Sequence, residues 1–208
     1  MERLKLPPIK ANVIKIKDEL SLAKDGRGLL EQKKDILINN INLLASKADQ
    51  IRSEVDKKLE DAYKKLSLAL LEAGEAAVEA AGLGVRAGEQ VVIKERSLMG
   101  VVLPIVHVRI PKLRPEYSFA GTTETMDQVR KAIHSTLEMI AELAEVEIGT
   151  ENLLRELKKT LKRVNALSHV YIPLYESTLK YMEETLEERE REALFQMKKV
   201  KKIKEGKS

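Results

Sequence analysis

With 208 residues, 34% of them charged and only 3% aromatic, the chain lacks the ring volume on which large compact cores lean. It has no cysteine and no tryptophan, which excludes disulfides, thiolate nucleophiles and cysteine zinc sites together. The formal net charge of +4 is too small to announce a nucleic-acid partner by bulk electrostatics.

The charge is nevertheless uneven, because Met1–Lys17 and Lys198–Lys207 are both strongly basic while the middle is near balance. The first residues, MERLKLPPIK, have no apolar core of signal-peptide length. The longest apolar run, Val101–Val106, is far short of the ~20 residues that cross a bilayer. A soluble, cytoplasmic chain is the expectation.

Pro7 and Pro8 precede the first helical pattern, where proline is tolerated. Apolar positions then run Ile16, Leu20, Ala23, Leu30, Leu37, Ile41, Leu44, Ala48, Ile51, Val55, Leu59, Ala62, Leu66 and Ala69. From Ile41 onward the mean step is that of a left-handed coiled coil. Gly26 and Gly28 lie inside this pattern and cost about 1 kcal/mol each relative to alanine, so they read as close-packing or flexible points.

After Leu71 the sequence turns rich in alanine and glycine, consistent with a short helix and a loop. Two β-branched runs follow, about 90–96 and 100–110, joined through Ser97, Leu98 and Met99. They predict a β-hairpin, with Pro104 confined to an edge or a bulge. After an irregular return, Thr122 or Thr123 is a candidate cap for the next helix.

That helix shows Met126, Val129, Ile133, Leu137, Ile140, Ala144 and Ile148 at steps of three and four, before an interruption at Gly149. Glu151–Lys204 then runs without a glycine and as a helix would be roughly 80 Å long. Its stripe is Leu154, Leu157, Leu161, Val164, Leu167, Tyr171, Leu174, Met182 and Leu186, with Thr178 the one polar step. Pro173 should kink it, because the carbonyl of His169 loses its donor.

A helix of that length needs a partner helix to bury its stripe, and the N-terminal one is available. The expected fold is mainly α: a long antiparallel two-helix left-handed coiled coil, 10–72 with 123–204, carrying an inserted head at 73–122. The seam is Ile41, Leu44, Ala48, Ile51 and Val55 against Leu154, Leu157 and Leu161. If both chain ends meet at one tip and the head lies at the opposite pole, facing numbers add to about 208. Leu44 then lies near Val164, Leu59 near Gly149 and Lys10 near Lys198.

Such a thin assembly has little room for a catalytic cleft. His134 with Glu138 has a spacing that could hold a metal, but there is no second ligand pair. His107 and His169 are isolated. Gly82, Gly84 and Gly88 make a loose glycine cluster without the strand, helix or Lys-Ser/Thr that a phosphate loop needs. No catalytic residue, cofactor or metal site is assigned. The basic C-terminus also carries Leu194, Phe195, Met197, Val200 and Ile203, so it reads as a solubilising tail, a nucleic-acid contact or a greasy cationic tip seated in a protein collar.

Three blocks carry a family resemblance: Leu20–Leu37, LSLAKDGRGLLEQKKDIL; Leu161–Pro173, LKRVNALSHVYIP; and Glu187–Lys202, EEREREALFQMKKVKK. Together they resemble the D subunit of the archaeal and vacuolar-type rotary ATPase/ATP synthase. The most specific residues are Arg163, Val164, Asn165, Ala166, Leu167 and Pro173. Ile9 departs from the family, which often has threonine there.

The resemblance implies a non-catalytic rotor shaft on the cytoplasmic face of a membrane, held peripherally in a complex that couples proton or sodium flow to ATP synthesis or hydrolysis. Its implied partners are a hexamer of A and B subunits, the small F subunit and the funnel-shaped C subunit. Clustering at one tip then nominates Phe195, Met197, Lys198, Lys199, Lys201 and Lys202, with Lys10, Lys15 and Lys17, as bearing contacts. The hairpin would touch a partner near the base. Two rivals remain: a prefoldin-like chaperone, which also joins long helices through hairpins, and a nucleic-acid-binding coiled coil, which predicts salt-sensitive binding.

Overall fold

The computed structural model describes residues 3–85, 90–111, 114, 116–118 and 121–205, the last three without their side chains. Gly88, the side chain of Ile203, and Lys112, Leu113, Pro115, Phe119 and Ala120 of the irregular return lie outside this description.

The chain is mainly helical. A long first helix, α1 (Lys10–Ala73), is followed by a short α2 (Glu75–Gly84) and a hairpin of β1 (Gln90–Leu98) and β2 (Val101–Arg109). The helix α3 (Glu124–Ala166) passes through a π-helical turn (Leu167–Tyr171) into α4 (Ile172–Glu205). The residues group into two compact units, 1–35 with 158–208, and 36–157.

In the first unit, the start of α1 packs antiparallel to α4. Val13, Ile16 and Met182 are buried, flanked by Leu4, Tyr175, Leu179 and Leu186. The segment before α1 lies on the same pair: the Leu4 N–H donates to Thr178 Oγ1 at 3.1 Å, and Arg189 donates to the Pro8 carbonyl at 3.2 Å. Thr178, the polar step of the stripe, is fully buried. Its own hydroxyl donates to the Leu174 carbonyl at 2.7 Å, so burial leaves it no unmet polar group.

In the second unit, α1 packs antiparallel to α3 in three apolar clusters. Leu37 and Leu153 meet Val101 and Leu103 of the hairpin. Ile51 and Val55 meet Val146. Ala69 meets Met126 and Val129 beside Ala77, Val78 and Ala81 of α2. Gly74, at φ 83, supplies the left-handed link that separates α1 from α2.

Every α1 position named from the sequence, Ile16 to Ala69, is buried or half-buried. Gly26 and Gly28 sit inside the uninterrupted helix, and a Cβ added at either would meet nothing within 4 Å. They are not close-packing points.

Four expectations need correction. Helix α3 runs straight through Gly149, which is buried with Leu103 and Leu44 side chains 3.8 Å from where its Cβ would stand. It marks a close approach, not an interruption. Leu44, expected beside Val164, thus has Gly149, which was expected beside Leu59.

Second, the hairpin turn is Met99–Gly100, not Ser97–Met99. Both have positive φ (53 and 79), the signature of a two-residue turn whose twist matches the strands. Third, Thr123 does stand immediately before α3 and its carbonyl accepts the Met126 N–H, but neither threonine caps by side chain: the Thr123 hydroxyl has no partner among the described residues, and that of Thr122 donates to the Ser118 carbonyl at 3.1 Å.

The fourth concerns the α3 stripe. Leu154 and Leu161 are 40% and 37% exposed, and Ile133, Ile140 and Ile148 also face outward. Met126, Val129 and Val164 are buried as expected, but between them the buried line runs through Thr136, Val146, Gly149, Leu153 and Thr160, with Leu157 half-buried against Leu153. Two adjacent stripes of α3 are apolar enough to pack, and the inward one contains threonines. Thr136 can hide there because its hydroxyl donates to the Ala132 carbonyl at 2.8 Å.

Candidate partner-binding surfaces

The sequence nominated a tip, a signature block, a seam and a hairpin. At the tip, residues Glu187–Lys202 are all exposed. Phe195 is 69% exposed, and Leu194, Met197 and Val200 are more than half exposed. Lys198, Lys199, Lys201 and Lys202 are exposed among them. This end of α4 therefore presents apolar and cationic side chains together.

The N-terminal lysines are placed differently from expectation. Lys10 pairs with Glu190 at 2.8 Å, Lys17 with Glu183 at 2.7 Å and Lys24 with Glu176 at 2.7 Å. Lys15 lies 4.0 Å from Glu19 on its own helix. Facing numbers in the cross-helix pairs add to 200, not 208, so Lys10 does not neighbour Lys198. Hydrogen bonding and charge from Glu190 raise the Lys10 pKa, and the same contact holds Glu190 below the usual carboxylate range.

The sequence carried the signal for this register. Lysines at 10, 17 and 24 and glutamates at 176, 183 and 190 both recur at steps of seven.

The signature block Arg163–Leu167 ends at the π turn, and Pro173 follows in the first turn of α4. Ile172 N–H reaches the Leu167 carbonyl, five residues back. The extra residue in this wide turn accommodates the missing proline N–H without ending the helix. Within the turn the inward position moves by one: Ile172 is buried at 6%, whereas Tyr171, the expected stripe residue, is 47% exposed, and Thr178 and Met182 beyond it are buried as expected. Val164 is buried, and Arg163 and Asn165 are exposed.

Of the named seam residues, Ile51 and Val55 are buried and Ile41, Leu44, Ala48 and Leu157 half-buried. Among the exposed apolar residues of the second unit, Ile36 and Leu43 on α1 lie seven apart, as do Ile133 and Ile140 on α3. Regular apolar spacing on an outer face suits a further helix.

The hairpin lies against α3. Asn152 Nδ2 donates to the Val102 carbonyl at 3.1 Å, and the Val106 N–H donates to Glu145 Oε2 at 2.8 Å. Asn152 and Glu145 were not anticipated; nothing in their local pattern separates them from other polar residues of a charged helix.

The three histidines are dispersed. His107 is exposed on β2 and His169 in the π turn, while His134 Nε2 lies 2.9 Å from the Pro111 carbonyl. No group of three or more metal-ligating side chains occurs among the described residues. Gly82 and Gly84 belong to the last turn of α2.

A cavity of about 280 Å³ opens between α1, α2, α3 and the residues near Tyr117, lined mainly by apolar side chains such as Leu66, Val78, Met126 and Ile133. At its side Arg130 pairs with Glu116 at 2.7 Å, and the Tyr117 hydroxyl donates to Asp127. Burial, then that hydrogen bond, pushes the Tyr117 pKa up to about 12. No described helix is long and apolar enough to cross a membrane.

A family model for the D subunit of ATP synthase matches residues 12–202. The A-type ATP synthase D subunit of Pyrococcus horikoshii is 40% identical over 129 residues, covering 60% of this chain and 59% of that protein. That of Methanosphaera stadtmanae is 41% identical over 125 residues, 59% of this chain and 58% of the relative. The Thermococcus gammatolerans protein of the same description is 36% identical over 131 residues, 62% and 61%. In each case the matched stretch spans less than two thirds of the relative. Because the family model extends over nearly all of the sequence, and over both long helices and the hairpin between them, the chain belongs to the family of ATP synthase D subunits.

Proposed function

We propose that the chain is the central rotor shaft of an A- or V-type rotary ATPase/ATP synthase, a non-catalytic subunit held peripherally on the cytoplasmic face of the membrane. The observation that carries this reading, beside the family, is the exposed end of α4, where Leu194, Phe195, Met197 and Val200 stand among lysines with no covering element among the described residues. An isolated chain gains nothing by exposing such side chains; a collar that encloses them removes their apolar surface from water.

The collar is a hexamer of A and B subunits. A single chain inside a threefold collar cannot touch three catalytic interfaces equally. Unequal contact biases each interface in turn, since a binding partner shifts a conformational equilibrium only by its differential affinity for the states. Ion flow through the membrane ring turns the shaft by way of the C subunit. The outward apolar pair Ile36 and Leu43 is where a helix of the small F subunit packs.

The test is truncation after Leu194 in a reconstituted complex. Native mass should find one copy of the intact chain per A/B hexamer. The truncated chain should bind the hexamer roughly tenfold more weakly or worse, a loss of about 1.4 kcal/mol, and should lose coupled ATP hydrolysis. Unchanged affinity would refute the assignment of the tip, and self-hexamers would favour a chaperone.

A further inference from the structure

The two edges of the hairpin are finished differently. Leu98 and Val101 flank the two-residue turn and exchange both backbone hydrogen bonds. Alternation then makes Arg96–Leu103, Lys94–Ile105 and Val92–His107 the bonded pairs. The backbone groups of Val102, Pro104, Val106 and Val108 consequently point away from β1, and those of Val91, Ile93, Glu95 and Ser97 point away from β2.

On β2 three of these outward backbone groups are engaged or missing. The Val102 carbonyl accepts from Asn152, Pro104 has no N–H, and the Val106 N–H donates to Glu145. On β1 none of the four outward residues has a hydrogen-bond partner across that edge among the described residues.

The rest of β1 agrees. Gln90–Ser97 are all exposed, with Val91 at 59% and Ile93 at 65%. The strand contains no proline, and its two cations, Lys94 and Arg96, have no ion pair with a described residue. Edges of monomeric sheets are ordinarily blunted by proline, by charged side chains, by a covering element or by shortness. β2 has the proline and the cover, whereas β1 has only the charges of Lys94, Glu95 and Arg96.

We infer that the free edge of β1 receives an extended segment of a partner protein, which joins the hairpin as a third strand. Outward N–H and C=O groups at every second residue match the repeat of a strand and not that of a helix. Cross-strand pairing places apolar side chains of the segment beside Val91 and Ile93 and carboxylates beside Lys94 and Arg96. This is independent of the rotor reading, because it specifies the chemistry of the segment and not the subunit that supplies it.

The experiment uses the full chain and an end-blocked peptide alternating valine and glutamate, as long as β1 (9 residues). Amide exchange is read residue by residue. Without peptide, Val92, Lys94 and Arg96 exchange slowly, and Val91, Ile93, Glu95 and Ser97 fast. Saturating peptide slows the second group by roughly tenfold or more, while a valine–lysine peptide leaves it unchanged.

Ile93→Pro removes one outward N–H, as Pro104 does on β2, and should abolish binding while Lys94 and Arg96 stay protected. Exchanging both cations (Lys94→Glu with Arg96→Glu) leaves the backbone intact and should transfer the preference to the lysine peptide. Fast exchange at Val91 and Ile93 under millimolar glutamate peptide, equal slowing by both peptides, or a charge-exchanged variant that keeps the glutamate preference each overturn the inference. So does slowing that grows with chain concentration in the absence of peptide, which would place a second copy on the edge.

Discussion

Helix α1 meets its later partner twice, and the two regions are filled differently. At its start the contact with α4 consists of a narrow apolar line (Val13, Ile16, Met182), a buried threonine that holds the N-terminal segment, and three exposed lysine–glutamate pairs. Further along, contact with α3 is reinforced by a third element: Val101 and Leu103 of the hairpin close over Leu37 and Leu153. Two helices alone enclose little volume, so this seam keeps to a single line of buried side chains, flanked by Leu4 of the N-terminal segment and rimmed by charges. A hairpin laid across the pair converts one stretch of the same seam into an enclosed core, where packing dominates.

The comparison can be broken most forcefully at Leu153, which is fully buried. Leu153→Ala should cost about 3 kcal/mol in denaturant unfolding, the ordinary magnitude for emptying a packed leucine site. A cost below about 1 kcal/mol would mean that the hairpin does not enclose a core.

Next comes Thr178→Val, which keeps the volume but removes the acceptor of the Leu4 N–H. About 1 kcal/mol should be lost, and protease should cut the N-terminal segment faster than in the parent chain.

Gly149→Ala tests the closeness of the hairpin from the other direction. The added Cβ would meet Leu103 and Leu44 at 3.8 Å, ordinary contact. The gain in helix propensity should therefore survive and stabilise the chain by up to ~1 kcal/mol. Gly149→Leu should destabilise instead.

A smaller effect is expected at high pH. The Tyr117 pKa is about 12 in the folded chain against an ordinary 10.0, so the native state favours the neutral phenol. Its contribution is complete below pH 10.0 and is lost as the pH rises toward 12. A pH series of unfolding midpoints should show that fall, and Tyr117→Phe should flatten it. On the acid side, the lowered Glu190 pKa makes its pairing with Lys10 present above the ordinary carboxylate range and lost as pH falls through the folded value.

The smallest effect belongs to the rim. Lys17→Ala breaks an exposed pair and should change stability by no more than about 0.5 kcal/mol.

Much of the fold was legible in local pattern. The α1 stripe from Ile16 to Ala69 coincides with buried and half-buried positions, and the two β-branched runs do form a hairpin. For the tip, the exposure of Phe195 and Met197 agrees with a greasy end, but the partnership of Lys10 with Glu190 was missed although its heptad of charges was in plain sight. Asn152 and Glu145 could not be found in advance, because a side chain that reaches a neighbouring strand carries no periodic signature.

The linear sequence by itself determined that two long segments are helical, that two β-branched runs pair as a hairpin and how the face of α1 is spaced, because those depend on steps of three, four and two along one element. Only the tertiary structure decided which of two apolar stripes on α3 turns inward, which residues face one another, and that Ile172 replaces Tyr171 after the π turn. Periodicity describes a helix relative to its own axis. Its rotation and sliding against a partner are chosen by the volumes that must be filled between them, which are properties of both elements together.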